Sequence, residues 1–177
     1  MQEKPVLDPC CGARKFYFAK DSPVVLFGDI RDETFVQVDG RRLTIHPDMK
    51  MDFTNLPFED ESFALVVFDP PHLKRAGQNS FMAQSYGVLP SKPVEYVVRG
   101  FKECWRVLKR DGTLIFKWND TQIPLNSLLD AFGVRPLFGN RRATGKTGST
   151  YWLCFFKDRR GVHEKRGERP TMQYALL

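Results

Sequence analysis

The stretch Leu65-Val66-Val67-Phe68-Asp69-Pro70-Pro71-His72 constrains this chain more than any other. Four apolar residues without a polar interruption read as a strand covered on both faces, as in a parallel sheet. Proline has no N–H and cannot extend a ladder, so the strand must stop at Asp69. Open α/β sheets bind ligands at the carboxyl ends of their strands. The turn there offers a carboxylate, backbone carbonyls and an aromatic ring, held stiffly by two prolines. That set suits a planar molecule carrying an amino group.

Other short apolar runs also end in acids. Val6-Leu7-Asp8 leads into Pro9-Cys10-Cys11-Gly12-Ala13, a turn of small residues, and residues 14–20 read as a short helix. Strand, tight turn and helix start form the opening of a nucleotide-type site, although G-x-G-x-x-G is absent. Val24-Val25-Leu26-Phe27 closes on Gly28-Asp29, where an acid commonly grips a ribose. Asp39-Gly40, between runs 35–38 and 41–45, signals a β-hairpin where a helix would normally cross. Residues 49–53 read as a short strand bearing Asp52.

Residues 73–92 are too long and polar for a plain connector and read as a lid or binding loop. Residues 93–108 carry an apolar face at helical spacing, with Ser91 as a cap and Pro93 in the first turn. After Asp111-Gly112 comes a fifth strand, 113–118, whose Lys117 and Trp118 read as structural. Asn119-Asp120-Thr121 suits the cap of a helix bearing Leu125, Leu128, Leu129 and Phe132. Residues 134–138 read as a sixth strand, 139–149 as a basic loop, and 151–156 as the last strand.

With 177 residues, 42% of them hydrophobic, the chain can bury one real core. Residues 1–157 read as that single domain and 158–177 as a basic, flexible tail. A net charge of +6 favours a polyanionic partner. The four cysteines and three histidines lack metal-ligand spacing, which predicts reduced thiols and no metal. No apolar run approaches the ~20 residues of a membrane span, and no signal core follows Met1, so a cytoplasmic, membrane-free protein is expected. Gly145-Lys146-Thr147 looks like a P-loop end, but position 140, where a glycine is required, holds Asn140. Arg141, Arg142 and Lys146 read instead as phosphate contacts, and Lys74 and Arg75, after the Asp69 turn, as nucleic-acid-binding residues too.

Taken together, the order and spacing of these pieces resemble the class I S-adenosylmethionine-dependent methyltransferases. The type with D/N-P-P-Y/F/W, as in small phage and prophage DNA methyltransferases, is most similar. The resemblance rests on Val6-Leu7-Asp8-Pro9-x-x-Gly12, Met51-Asp52-Phe53-Thr54-Asn55-Leu56-Pro57-Phe58, the run from Ser62 into Pro71, and Arg106-Val107-Leu108-Lys109-Arg110-Asp111-Gly112. It implies a Rossmann-like domain with a mostly parallel seven-stranded sheet and an antiparallel last strand. It further implies that Asp8, Pro9, Cys10 and Gly12 form the loop under the cofactor S-adenosylmethionine, that Asp29 holds its ribose, and that Asp52 and Phe53 meet its adenine. Asp69, Pro70, Pro71 and His72 would hold the target amine, most simply adenine N6 in DNA, then RNA. Guanine N2 in RNA, a protein glutamine amide, a small-molecule amine, and a catalytically silent nucleic-acid-binding fold are the alternatives. The chain departs from the family at Cys10-Cys11, at His72, and in lacking the helix before the first strand. A homo-oligomer could cover the face that helix leaves.

Overall fold

Apart from the hairpin, the chain's predicted strands assemble as one sheet in the computed structural model, which describes residues 4–37, 40–77, 80–143 and 148–160. In chain order the strands are β1 (Val6–Asp8), β2 (Val25–Asp29), β3 (Glu33–Val36), β4 (Arg42–Ile45), β5 (Met49–Lys50), β6 (Phe63–Phe68), β7 (Leu108–Asn119), β8 (Phe138–Ala143) and β9 (Ser149–Lys157). The helices are α1 (Phe81–Tyr86), α2 (Pro93–Val107) and α3 (Leu125–Phe132). Seven strands form the main sheet in the order β5-β2-β1-β6-β7-β9-β8. Its first five strands are parallel, while β9 runs antiparallel to both β7 and β8. The acids Asp8, Asp29 and Asp69 therefore gather at one edge of the sheet, where the parallel strands end.

Alternation along each strand separates two faces. Leu7, Val66, Phe68, Leu114, Phe116 and Phe155 face the main core, where Val97, Phe101 and Cys104 of α2 and Leu128 and Phe132 of α3 cover them. Phe101 stacks on Phe132 at 3.8 Å between ring centroids. The last turn of α2 is fixed by a lysine: Lys157 Nζ donates to the carbonyls of Trp105 and Leu108. The opposite face is thinner. There Cys11, Val25 and Phe27 pack with Val6 and Tyr17.

That thinner face corrects one expectation. Residues 14–20 form turns, not a helix. Arg14 is left-handed (φ 53°), and its guanidinium lies 4.0 Å over the Phe27 ring while donating to Lys20 O, His46 O and Asp48. Tyr17 turns inward, its hydroxyl donating to Asp8 at 2.9 Å. These long-range bonds outcompete the few local ones a short helix would make.

Other boundaries also moved. The hairpin β3–β4 forms in a separate two-stranded sheet, closed by Gln37 N–H on Arg41 O; Val38 and Asp39 lie outside the described residues. Only Met49–Lys50 of the expected 49–53 strand pairs with the sheet, because Met51 and Phe53 turn into the core. Asp111 (φ 59°) and Gly112 sit inside β7 as a bulge, with register breaking between Phe63 and Leu65 of β6. Asn119 ends β7, and Asp120 accepts from Ser149 N–H and Tyr151 Oη, so neither caps α3, which starts after Pro124. Lys92, not Ser91, is the N-cap of α2. The sixth strand is Phe138–Ala143, so half of the expected basic loop is an exposed edge strand, while Val134 is buried in the core. In the segment beyond 157, Asp158 is buried and Arg159 pairs with Asp111.

Gly100 of α2 lets that helix lie against the site. A Cβ there would collide with the rings of Phe53 and Phe68. Gly100→Ala is expected to lower unfolding free energy by about 1–3 kcal/mol despite its better helix propensity. Urea denaturation checks this, and a stabilised variant would contradict the packing.

Candidate functional site

A cavity of about 260 Å³ opens at the carboxyl edge of β1, β2 and β6. The loop after β1 supplies its floor, Asp29 and Ile30 one end, Phe53 a side, and Asp69 to Pro71 the other end. Gly12 is needed in the floor: it is left-handed (φ 51°), and its N–H donates to Asp29 Oδ2 at 2.9 Å. A second cavity, about 190 Å³, adjoins it and is lined by Asp69, His72, Met82, Tyr86, Lys117 and Asn119, among others. Asp69, Tyr86 and Lys117 border both. The edge therefore holds two compartments that meet at one carboxylate.

Strand register explains the meeting point. Phe68 of β6 pairs with Phe116 of β7, so the next residues, Asp69 and Lys117, emerge side by side. Lys117 Nζ donates to Asp69 Oδ2 at 2.5 Å, with the two side chains 21% and 14% exposed. Burial raises the Asp69 carboxyl above its ordinary value, and Lys117 opposes that rise. The His72 ring lies 5.5 Å from Tyr86 and edge-on to Trp118. Burial and then the nearby Lys117 charge lower its pKa to about 4. His72 is thus a neutral ring through the physiological range, suited to stacking and to one hydrogen bond.

Within the polar stretch 73–92, α1 forms behind a Ser80 cap and sets Ser85 and Tyr86 on the larger cavity. Arg31 ties α1 to the floor. Its Nη1 donates to Gln84 O, while Nε and Nη2 reach the two oxygens of Asp29. Lys15 Nζ donates to Ser85 Oγ and lies over the Phe81 ring. Gly87, at φ 76°, closes α1 against Pro71.

Cys10, Gly12, Asp29, Phe53, Asp69, Pro70 and Pro71 all border the larger cavity, and His72 the smaller. Asp8 and Pro9 do not; Asp8 lies buried behind the loop, accepting from Cys10 N–H and Tyr17 Oη. Asp52 also stays off the cavity wall, because its Oδ1 accepts from Thr54 N–H and Oγ1 in a local turn. Lys74 and Arg75 are exposed, and their N–H groups donate to Gln122. Arg141 Nε donates to Ser149 Oγ, and Arg142 is exposed on β8 beside Thr150 of the smaller cavity. Lys146 lies outside the described residues.

Sequence reasoning missed Lys117, Arg31, Lys15 and Tyr86. None of them carries a signal in the sequence alone; Lys117 is singled out only by the register, one step past the strand residue opposite Phe68. Burial, with Asp8 and Asp29 nearby, pushes the Cys11 thiol up to about 12, and burial raises Cys10 well above its usual value. The loop's thiols are therefore not thiolates. Among the described residues, no group of three or more His, Cys, Asp or Glu could hold a metal, and no helix is long and apolar enough to cross a membrane.

Complete burial raises the Asp8 pKa to about 7, against bonds from Cys10 and Tyr17 that lower it. The folded chain then holds a proton that the unfolded chain releases near 3.8, so Asp8 costs stability as pH rises through that window. Asp8→Asn is expected to raise the melting temperature more at about pH 8 than at about pH 5. An equal change at both would contradict a proton on Asp8.

Neither a protein-family model nor a curated protein sequence matches the chain. Solved structures do. An S-adenosylmethionine-dependent methyltransferase from Methanosarcina mazei superposes with a TM-score of 0.56 at 13% identity, covering 89% of this chain and 94% of that one. A protein from Pyrococcus horikoshii OT3 gives 0.55 at 14% identity, covering 87% and 81%. The cyclase SpnF gives 0.52 at 14% identity, covering 86% and 74%. A cyclase among these neighbours means that chemistry has to be read from the site and not from the fold. The fold itself is the Rossmann-like one of S-adenosylmethionine-dependent methyltransferases, with its mostly parallel seven-stranded sheet and antiparallel β9.

Proposed function

We propose that the chain transfers a methyl group from S-adenosylmethionine to an exocyclic amino group, adenine N6 in nucleic acid, in DNA before RNA. One observation carries the reading: two cavities meet at Asp69, directly after a strand and before Pro70-Pro71-His72. The larger cavity suits a nucleoside. Asp29 offers a carboxylate for hydroxyl groups, while Ile30 and Phe53 offer apolar walls for a flat ring. Its volume is just below the roughly 300–1,000 Å³ of small-molecule sites, and Arg31 takes up part of the Asp29 end. Binding there requires the Arg31 side chain to yield one or both Asp29 oxygens.

The cofactor supplies an electrophilic methyl group. The chain's own residues prepare the amine. A base amine is a poor nucleophile because its lone pair is delocalised into the ring. Asp69 can accept its N–H through Oδ1, which has no partner among the described residues, and stabilise the positive charge that develops on nitrogen. Neutral His72, with Tyr86 beside it, offers a face for an extruded base. The turn fixed by Pro70 and Pro71 holds both groups in one orientation, the main requirement of an in-line transfer. Lys74 and Arg75 follow this turn closely in the sequence, and Arg142 pairs in register with Thr150 of the smaller cavity, so these exposed cations are the residues that would contact phosphates.

One observation favours a catalytically silent, nucleic-acid-binding fold: Arg31 already occupies both oxygens of Asp29. Calorimetry with S-adenosylmethionine separates the readings. The enzyme reading expects binding that Asp29→Ala weakens at least about tenfold, or 1.4 kcal/mol, and that Arg31→Ala does not weaken. No binding by the unaltered chain would leave the silent reading standing.

Tritiated-methyl transfer to DNA, RNA and protein side by side, followed by nucleoside analysis, tests the substrate. N6-methyladenine in nucleic acid is expected. Label in guanine N2 or in a protein glutamine would select those alternatives. Asp69→Ala is expected to cut transfer at least about a hundredfold with cofactor affinity retained. His72→Phe should keep most activity, while His72→Ala loses the stacking worth about 1–3 kcal/mol. Equal loss in both would show that the ring nitrogen matters, not the ring face.

A further inference from the structure

Among the described residues, the amine paired with Asp69 is one of the chain's own. Lys117 Nζ sits 2.5 Å from Asp69 Oδ2, on the carboxylate that the proposed function assigns to the substrate amine. Lys117 also borders the larger cavity, the compartment assigned to the cofactor. Register holds it there: Lys117 is directly opposite Trp152 of β9 and one residue beyond the Phe68–Phe116 pair. Its ammonium lies 5.7 Å from the centre of the Trp152 ring and 5.9 Å from that of Phe16, two rings that meet edge to face at 5.5 Å. A carboxylate and two aromatic faces around one nitrogen form the surroundings that methylated ammonium groups favour.

We propose that Lys117 is a modification site: with no other amine in place, it accepts the methyl group of S-adenosylmethionine itself. The proposal rests on the methyl-transfer reading of the site. The Lys117 ammonium must first give up a proton, and the adjacent acceptor is Asp69 Oδ2. The neutral Nζ then attacks the methyl carbon, and the carbon–sulfur bond breaks with its electron pair left on sulfur. The products are S-adenosylhomocysteine and a protonated N-methyl-lysine at position 117, and the proton on Asp69 passes to water. A target amine entering the smaller cavity must take Asp69 from Lys117, so the modification and the reaction on substrate compete for one carboxylate.

Peptide mass spectrometry of the full chain, incubated with S-adenosylmethionine and no nucleic acid, reads the outcome. The peptide holding Lys117 is expected to gain one methyl group, and Lys117→Arg to lose that gain. Cofactor bound by calorimetry with Lys117 unmodified overturns the proposal and leaves the methyl-transfer reading intact. No cofactor binding overturns both. A second readout needs no turnover: acetylation of lysines by a small amine-reactive reagent, with and without S-adenosylhomocysteine. Several-fold slower labelling of Lys117 when the nucleoside is bound supports the placement. An unchanged rate with the nucleoside bound puts Lys117 away from the cofactor and overturns the proposal.

Discussion

The parallel pairing of β6 with β7 puts opposite charges side by side where the sheet opens. Phe68 and Phe116 are in register, and the two residues that follow, Asp69 and Lys117, form an ion pair at the mouth of both cavities. Two prolines stop β6 at that point, so the carboxylate stays at the strand's end instead of being carried into another ladder. Slipping the register by one residue would turn Lys117 to the other face and leave Asp69 buried without its cation. The central packing holds the register in place. Phe68 and Phe116 of the sheet continue in ring contacts to Phe101 of α2, which stacks on Phe132 of α3.

At the other end of the larger cavity, a second charge network performs a similar task. Asp29 closes β2 and accepts from Gly12 N–H, Arg31 N–H and the Arg31 guanidinium. The same guanidinium reaches Gln84 of α1, so the floor of the cavity and α1 share one side chain. A ligand that takes Asp29 must compete with the Arg31 contacts. Both ends of the cavity thus pair a strand-end acid with a cation that a ligand would compete against. The neutral, half-buried His72 between Tyr86 and Trp118 is the uncharged part of the arrangement.

The parts of this fold that a reader of the sequence could see were those with strong local signals. Buried strands such as Phe63–Phe68, the amphipathic helix Pro93–Val107, and the stop at Pro70-Pro71 follow from hydrophobic pattern and proline chemistry alone. The Asp39-Gly40 signal likewise marked the hairpin. Residues 14–20 were illegible because Arg14 and Tyr17 satisfy themselves on Phe27, Asp48 and Asp8, partners far away in sequence or behind the loop. Residues 139–143 of β8 read as loop because they are exposed, which removes the apolar alternation that marks a strand. The acids at strand ends could be located, but not their orientation: Asp29 faces the cavity, while Asp8 and Asp52 turn to local partners. Lys117 looked like an ordinary strand-end lysine until the register was known.

The central claim is that the two compartments serve one transfer, with the donor on the Gly12–Asp29 side and the acceptor at Asp69. A crystal structure of the chain with S-adenosylhomocysteine tests it most directly. The account predicts the ribose against Asp29, the adenine beside Phe53, and the sulfur facing the Asp69–Lys117 pair. A nucleoside bound elsewhere, or with its sulfur directed away from Asp69, would contradict it.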